Sequence, residues 1–184
     1  QCGLAPGYIN IIAHELMAPF DEIESVKLRC GAIPEHSSNN LHYAFTWSID
    51  GLINEYINPC QTLRNTNLTQ VPALSEIENI EIDGQQYEAF HTSGGLARMA
   101  ERYEGKINYM DYKTIRYPGH AEKMHFLLND LKLSGHRDEL IRILQRAIPH
   151  THKDVVVIYV SVNGYQNQRL TQKTFVKKYG KNRY

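Results

Sequence analysis

Residues 112–131 read YKTIRYPGHAEKMHFLLNDL, and this stretch decides the fold because its first half predicts a strand and its second half a helix. Pro118 has no N–H for a sheet ladder but suits the first turn of a helix, so the strand is expected to end near Tyr117. In the second half, apolar residues recur at spacings of three and four and form one stripe: Ala121, Met124, Leu127, Leu128 and Leu131.

The turn between this strand and helix is a candidate anion site. The first amides of a helix have no partners within the helix, and they carry a partial positive charge. Arg116, at the end of the strand, adds a planar donor that suits a carboxylate. The alternative is that Arg116 pairs with an Asp or Glu of the same chain.

Outward from this stretch, the sequence predicts short helices interspersed with strands. Helices are expected at about 6–17, 48–57, 96–103, 118–131 and 137–148. Strands are expected at about 26–30, 41–47, 77–82, 85–90 and 107–116, with two more within 60–74 and a final hairpin that turns at Asn163-Gly164. The order predicts an α+β domain with a mixed, mainly antiparallel sheet covered on one face by helices.

Composition excludes several classes of function. Lys plus Arg and Asp plus Glu are both 20 in 184 residues, which argues against nucleic-acid binding. No apolar run approaches the roughly 20 residues that cross a bilayer, so no membrane association is expected. Three cysteines without CxxC spacing predict reduced thiols and a cytoplasmic protein. Because the chain starts at Gln1, directly in a motif-like run, we expect a fragment of a longer protein.

Two single residues are candidates for a site. Cys30 could act as a nucleophile with His36 or His42 as base, although a cysteine at a strand end is also a common small core residue. Trp47 is the only tryptophan, and composition alone favours a place in the core for it.

No metal site and no phosphate-binding loop are predicted. His120 and His125 are five positions apart, so on a regular helix they diverge by about 140° and cannot hold one ion. Neither GxGxxG after a strand nor GxxxxGK[ST] occurs. This chain alone is therefore not expected to bind a dinucleotide.

Four runs together resemble the saccharopine dehydrogenase family. They are CGLAPG at 2–7, LRCGAIPE at 28–35, LHYAFTWSIDGLINEYINP at 41–59 and KTIRYPGH at 113–120. The resemblance implies an N-terminal Rossmann domain that holds NAD or NADP, and a second domain that binds substrate and forms a homodimer through the sheet. The resemblance covers about residues 1–133 and weakens in the final hairpin. It implies that residues 1–184 are that second domain, with a fold similar to the C-terminal domain of glyceraldehyde-3-phosphate dehydrogenase.

The resemblance also implies a chemistry and a set of residues. The chemistry is hydride transfer between a nicotinamide and a carbon–nitrogen bond of an amino acid in lysine metabolism, and this fragment alone would be inactive. No catalytic residue is identified. The substrate-binding residues implied are Cys30, Trp47, Ser48 and Arg116, and a loop that contains Gly3, Pro6 and Gly7 would face the nicotinamide.

One departure from the family concerns the substrate. Fungal glutamate-forming members carry an Asn-Arg-Asp-Ser run after a strand, where this chain has HTSGG at 91–95. An arginine that could bind a substrate carboxylate is missing there, and a buried carboxylate without a partner is unfavourable. A lysine 6-dehydrogenase is therefore one alternative, and a non-catalytic dimerisation domain is the other.

Overall fold

The structure, a computed structural model, describes residues 3–36 and 38–180 and contains a mixed sheet with helices against it. The described helices are α1 (Tyr8–Met17), α2 (Ile49–Ile57), α3 (Met99–Tyr103), α4 (His120–His125) and α5 (Arg137–Ala147). A wider π-type turn (Phe126–Asp130) continues α4, and a 3₁₀ turn (Leu133–Gly135) precedes α5. The strands are β1 (Glu22–Pro34), β2 (Cys60–Arg64), β3 (Asn67–Val71), β4 (Glu78–Ile82), β5 (Gln85–His91), β6 (Tyr109–Arg116), β7 (Asp154–Gln166) and β8 (Arg169–Gly180).

The sheet order is β3-β2-β6-β1-β7-β8. β1 and β6 are parallel, and every other pair is antiparallel. β2 pairs with the start of β6 and β5 with its end, while β4 pairs with β5. The predicted α+β class with a mixed, mainly antiparallel sheet is confirmed. The likeness to the glyceraldehyde-3-phosphate dehydrogenase domain stays a prediction.

One face of the sheet carries two apolar clusters and contacts the helices, while a third cluster, with Ile33 and Ile115, lies on the opposite face. Val26, Leu28 and Cys30 of β1 lie opposite Met110, Tyr112 and Thr114 of β6, because alternate residues of a strand share a face. The apolar members of this set pack with Ile9, Ile12 and Ala13 of α1. A second cluster, under α2, α4 and α5, contains Tyr56, Phe90 and Met124.

The opposite face carries a buried ionic network. Arg29 is 1% exposed, and two of its nitrogens donate to both carboxylate oxygens of Asp111, at 2.6 and 3.0 Å. Its third nitrogen donates to Glu78, which also accepts from Lys113 at 3.1 Å. Tyr109 donates to Asp111 at 2.9 Å. Each buried charge in this network therefore has an opposite charge in contact, which offsets its lost hydration.

Two glycines predicted to end or turn strands lie inside them instead. β1 continues past Gly31 to Pro34, and β7 runs through Asn163-Gly164, so the final turn is at Asn167-Gln168. A β-carbon at position 31 would lie 2.3 Å from the Ile115 carbonyl oxygen, and one at position 164 would lie 2.1 Å from that of Glu22. Both glycines permit close approach of neighbouring strands, which local sequence does not reveal.

The predicted strand at 41–47 is wrong. Apart from a single bridge between Phe45 and His150, these residues make no ladder. Tyr43 and Phe45 are buried among the side chains of α2, α4 and α5. The alternating aromatic pattern therefore reflects burial against helices rather than pairing in a sheet. The helix predicted at 96–103 begins only at Met99, since Ala97 has a φ of 51°.

Candidate functional site

A cavity of about 370 Å³ lies beside the carboxyl-terminal parts of the parallel strands β1 and β6. Of the residues singled out in the sequence, Gly3, Cys30, Trp47 and Arg116 line it. A larger hollow of about 620 Å³ lies beside α4 and contains none of those residues. We therefore take the smaller cavity as the candidate site, and name it the β1–β6 cavity.

Trp47 and Ser48 are positioned by the start of α2. The Ser48 hydroxyl accepts a hydrogen bond from the Gly51 amide at 3.3 Å and caps the helix, and Ser48 does not line the cavity. Trp47 is 40% exposed, so it is not the core residue that composition favours. Its indole packs over Gly51, where a β-carbon would lie 2.2 Å from Cζ3. The glycine therefore lets the indole lie at the edge of the cavity.

The loop before α1 forms another wall. Gly3, Leu4 and Ala5 line the cavity, whereas Pro6 and Gly7 do not. The Ala5–Pro6 peptide bond is cis, and Gly7 has a φ of 149°, with its amide donating to the Asn10 side chain at 2.7 Å. Pro6 and Gly7 thus shape the turn that presents Gly3. Contact of this loop with a nicotinamide stays a prediction.

Cys30 is buried, and burial raises the pKa of its thiol to about 12. The thiolate is the nucleophilic form of cysteine, so this environment argues against a cysteine hydrolase. Cys30 and Cys60 are free thiols in the described part of the chain, and Cys2 lies outside it.

The helix amides at the turn after β6 do not form an open anion site. Glu88, the neighbour of Arg116 on β5, accepts from the amides of Gly119 and Ala121 at 2.7 and 2.6 Å. The carboxylate of this chain therefore occupies the start of α4, as helix amides favour. The prediction that the helix amides at this turn form an anion site for a ligand is therefore wrong.

Arg116 itself is 3% exposed, and no carboxylate of the described residues lies within 4 Å of it. The internal ion pair considered from the sequence is therefore absent from this part of the chain. The Arg116 Nε donates to the Tyr56 hydroxyl at 3.0 Å, and Nη1 donates to the Ile115 carbonyl at 2.9 Å. Its Cζ lies 5.0 Å from the centroid of the Tyr43 ring. The guanidinium is fixed by neutral groups and lines the cavity.

A directional chain of hydrogen bonds holds Arg116 in place. The Leu41 carbonyl can only accept, so His120 donates from Nδ1 at 2.8 Å. Nε2 of His120 then accepts from the Tyr56 hydroxyl at 3.0 Å, and Tyr56 in turn accepts from Arg116. Burial, together with the charge of Arg116, lowers the pKa of His120 to about 3, which keeps the ring neutral.

Glu55 is the site residue that the sequence analysis missed. It lines the cavity, and burial raises the pKa of its carboxyl to about 7, an effect that Arg116 partly opposes. Gly51 and Glu55 are four residues apart on α2 and therefore on the same side of the helix. This spacing from Gly51, on which Trp47 packs, was the sign in the sequence that Glu55 could face the same site as Trp47.

The HTSGG run lies next to the cavity wall. The Thr92 hydroxyl is 2.6 Å from that of Thr114, which lines the cavity. His91 is buried on the opposite face, with Nε2 3.3 Å from Glu76. Thr92 thus contributes a neutral hydroxyl beside the site.

Within residues 3–36 and 38–180, no group of three His, Cys, Asp or Glu side chains is arranged to hold a metal ion. None of the described helices is long and apolar enough to span a membrane.

Known proteins resemble this chain in sequence and in fold. Residues 3–181 match the family described as "Saccharopine dehydrogenase C-terminal domain". The proteins named "Alpha-aminoadipic semialdehyde synthase, mitochondrial" from Rattus norvegicus and Mus musculus are each 25% identical over 136 residues, which is 68% of this chain and 15% of theirs. The solved structure of apo histidine-tagged saccharopine dehydrogenase (L-Glu forming) from Saccharomyces cerevisiae is 15% identical, with a TM-score of 0.67 over 93% of this chain and 56% of that one. That structural likeness shows the fold.

Proposed function

The chain belongs to the family of saccharopine dehydrogenase C-terminal domains, and from this premise we propose that it is a substrate-binding and dimerisation domain. It would serve an NAD(P)-dependent, saccharopine dehydrogenase-like oxidoreductase that acts on a CH–NH bond of an amino acid in lysine metabolism. The chain spans only 15% of the length of the curated relatives it matches, so the activity of the whole protein is part of the proposal.

The observation that carries the proposal is that Arg116 is buried at the cavity without a carboxylate partner. A buried guanidinium keeps its charge, and burying a charge without an opposite partner is unfavourable. Arg116 lines the β1–β6 cavity without a carboxylate of the described residues within 4 Å, and the Tyr56–His120 chain fixes its direction. A substrate carboxylate would supply the missing charge and the planar acceptor that guanidinium favours.

The cofactor would be held mainly by another domain. NAD or NADP supplies hydride transfer when bound. The cavity offers the Gly3–Ala5 loop as a surface for its nicotinamide end, but the sequence contains no phosphate-binding glycine loop for its other end. We therefore propose that a Rossmann domain completes the site, and that residues 1–184 alone are inactive.

The test is binding of saccharopine and L-lysine to the 184-residue chain by isothermal titration calorimetry. We expect Arg116→Ala to weaken binding of the preferred substrate about a hundredfold, because removing one partner of a buried charge pair costs about 3 kcal/mol. Arg98→Ala is the control, since the Arg98 side chain is 92% exposed and does not line the β1–β6 cavity. Equal affinity in the wild type and in Arg116→Ala would return Arg116 to a structural role.

Free lysine is the alternative substrate, and Thr92 favours it. A hydroxyl beside Thr114 stands in the run where fungal members carry a second arginine, so the site supplies one fewer cation for a polycarboxylate. Tighter binding of lysine than of saccharopine would support a lysine 6-dehydrogenase. Binding of neither would favour the non-catalytic dimerisation domain.

We also propose that the chain forms a homodimer through its sheet. β8 is a terminal strand of the sheet order, and Leu170, Val176 and Tyr179 on it are exposed. An exposed strand with apolar side chains favours pairing with a second strand. A dimer mass by light scattering would support this, and a monomer at high concentration would contradict it.

A further inference from the structure

The β1–β6 cavity contains one charge of each sign. Of the described residues that line it, Arg116 is the only base and Glu55 is the only acid. The two do not form an ion pair within 4 Å. A positive and a negative group thus face the same space without neutralising each other directly.

The carboxylate of Glu55 has no hydrogen-bond or ion-pair partner in the described part of the chain. No described residue donates a hydrogen bond to its carboxylate, whereas its backbone carbonyl accepts from the Ser93 amide at 3.0 Å. By contrast Glu88, Asp111 and Glu78 each accept hydrogen bonds from protein donors. Glu55 is therefore a half-buried carboxyl group whose acceptor capacity is directed at the cavity.

Helix α2 fixes the placement of both charges. Tyr56 holds Nε of Arg116, and it is buried against Phe90 and His120. Glu55 is the preceding residue of the same helix, so the anchor that orients Arg116 also sets the position of Glu55. Trp47 is fixed by the first turn of that helix, at the edge of the cavity. The pair is thus preorganised before any ligand arrives, which reduces the cost of binding.

We propose that Glu55 binds the ammonium group of the substrate whose carboxylate is held by Arg116. The substrate class is then a zwitterionic amino acid, because a ligand with both charges would supply an opposite charge to each of two partly desolvated groups. This inference rests on the proposed function of Arg116 and adds the residue that recognises the amine. The raised pKa of Glu55 agrees with a carboxyl group that lacks a cationic partner in the free protein.

The experiment compares two ligands with the same six-carbon chain and carboxylate. L-Lysine has ammonium groups and hexanoate has none, and both are titrated into the 184-residue chain by calorimetry. We expect Glu55→Gln to weaken lysine binding about tenfold and to leave hexanoate binding unchanged, since the variant keeps shape and removes charge. Glu15→Gln, on the exposed side of α1, is the matched control and is expected to change neither.

Norleucine and 6-aminohexanoate then locate the ammonium group. Each carries one of the two amines of lysine, so the ligand that loses affinity in Glu55→Gln identifies the amine that Glu55 contacts. Loss with either ligand supports the proposal. If urea unfolding shows that the Glu55→Gln variant is poorly folded, Glu55→Ala provides the same comparison with a good helix former.

Failure of this inference is distinguishable from failure of the proposed function. If Glu55→Gln weakens lysine and hexanoate equally, or changes neither, the ammonium role of Glu55 is refuted while carboxylate binding stands. If Arg116→Ala leaves hexanoate binding unchanged, the carboxylate role of Arg116 is refuted. If the wild-type chain binds neither ligand at millimolar concentrations, both proposals are refuted.

Discussion

The buried ring of His120 should make the fold sensitive to mild acid. Burial and the nearby charge of Arg116 lower the pKa of His120 from 6.5 to about 3. Above pH 6.5 the ring is neutral in both the folded and the unfolded chain. Between the two pKa values only the unfolded chain binds the proton, so the free energy of unfolding falls as the pH falls.

The size of this effect follows from linkage. Lowering the pH from 7.5 to 5.5 should reduce the free energy of unfolding by about 1.4 kcal/mol through His120 alone. Protonation of Nε2 would also turn the acceptor of the Tyr56 hydrogen bond into a donor, so the chain that orients Arg116 would be interrupted.

Urea unfolding of the wild type and of His120→Gln at both pH values measures the effect. Glutamine can accept from Tyr56 but does not titrate, so the wild type should lose about 1.4 kcal/mol more than the variant. Every other ionisable group is the same in the two proteins, so its contribution cancels in the difference. His152→Gln, at an exposed position, should behave as the wild type. Equal pH dependence in the wild type and in His120→Gln would refute the assignment of a buried, neutral ring.

Two further substitutions test the walls of the site. Gly51→Ala would place a β-carbon 2.2 Å from Cζ3 of Trp47, so we expect shifted fluorescence of this single tryptophan and weaker lysine binding. The free energy of unfolding should change by less than about 1 kcal/mol. Unchanged emission would contradict the packing of the indole on Gly51. Glu88→Gln removes the carboxylate that accepts hydrogen bonds from the Gly119 and Ala121 amides, and should lower the free energy of unfolding in urea by about 2 kcal/mol. No loss of stability would show that the turn before α4 does not need the carboxylate.

The features that could be predicted from the sequence have local causes. Ser48 marks the start of α2, and Asp83-Gly84 marks a hairpin with positive φ at both residues, as in the structure. Pro118 correctly separates β6 from α4. In each case the residues that decide the conformation lie within a few positions of the element they define.

The features that could not be predicted depend on residues far apart in the chain. Gly31 reads as a strand end, but the reason for a glycine there is the Ile115 carbonyl on a neighbouring strand. Glu88 has no local signal, and only the pairing of β5 with β6 places it beside Arg116 and the amides of α4. The family resemblance singled out Cys30, Trp47, Ser48 and Arg116, and all of these but Ser48 line one cavity. The cavity that joins them to Glu55 required the packed structure.

The bidentate contact between Arg29 and Asp111 constrains how this sequence can drift over time. Each side chain is almost wholly buried, and losing Arg29 leaves the Asp111 carboxylate without its cation, which costs about 3–5 kcal/mol, a large share of the stability of a typical domain. Losing Asp111 leaves Arg29 with Glu78 alone among the described carboxylates. A lineage can therefore replace the pair only by two nearly simultaneous changes, or after stabilising substitutions elsewhere. Among related sequences we expect positions 29 and 111 to change together, from one matched pair to another, with mismatched intermediates scarce.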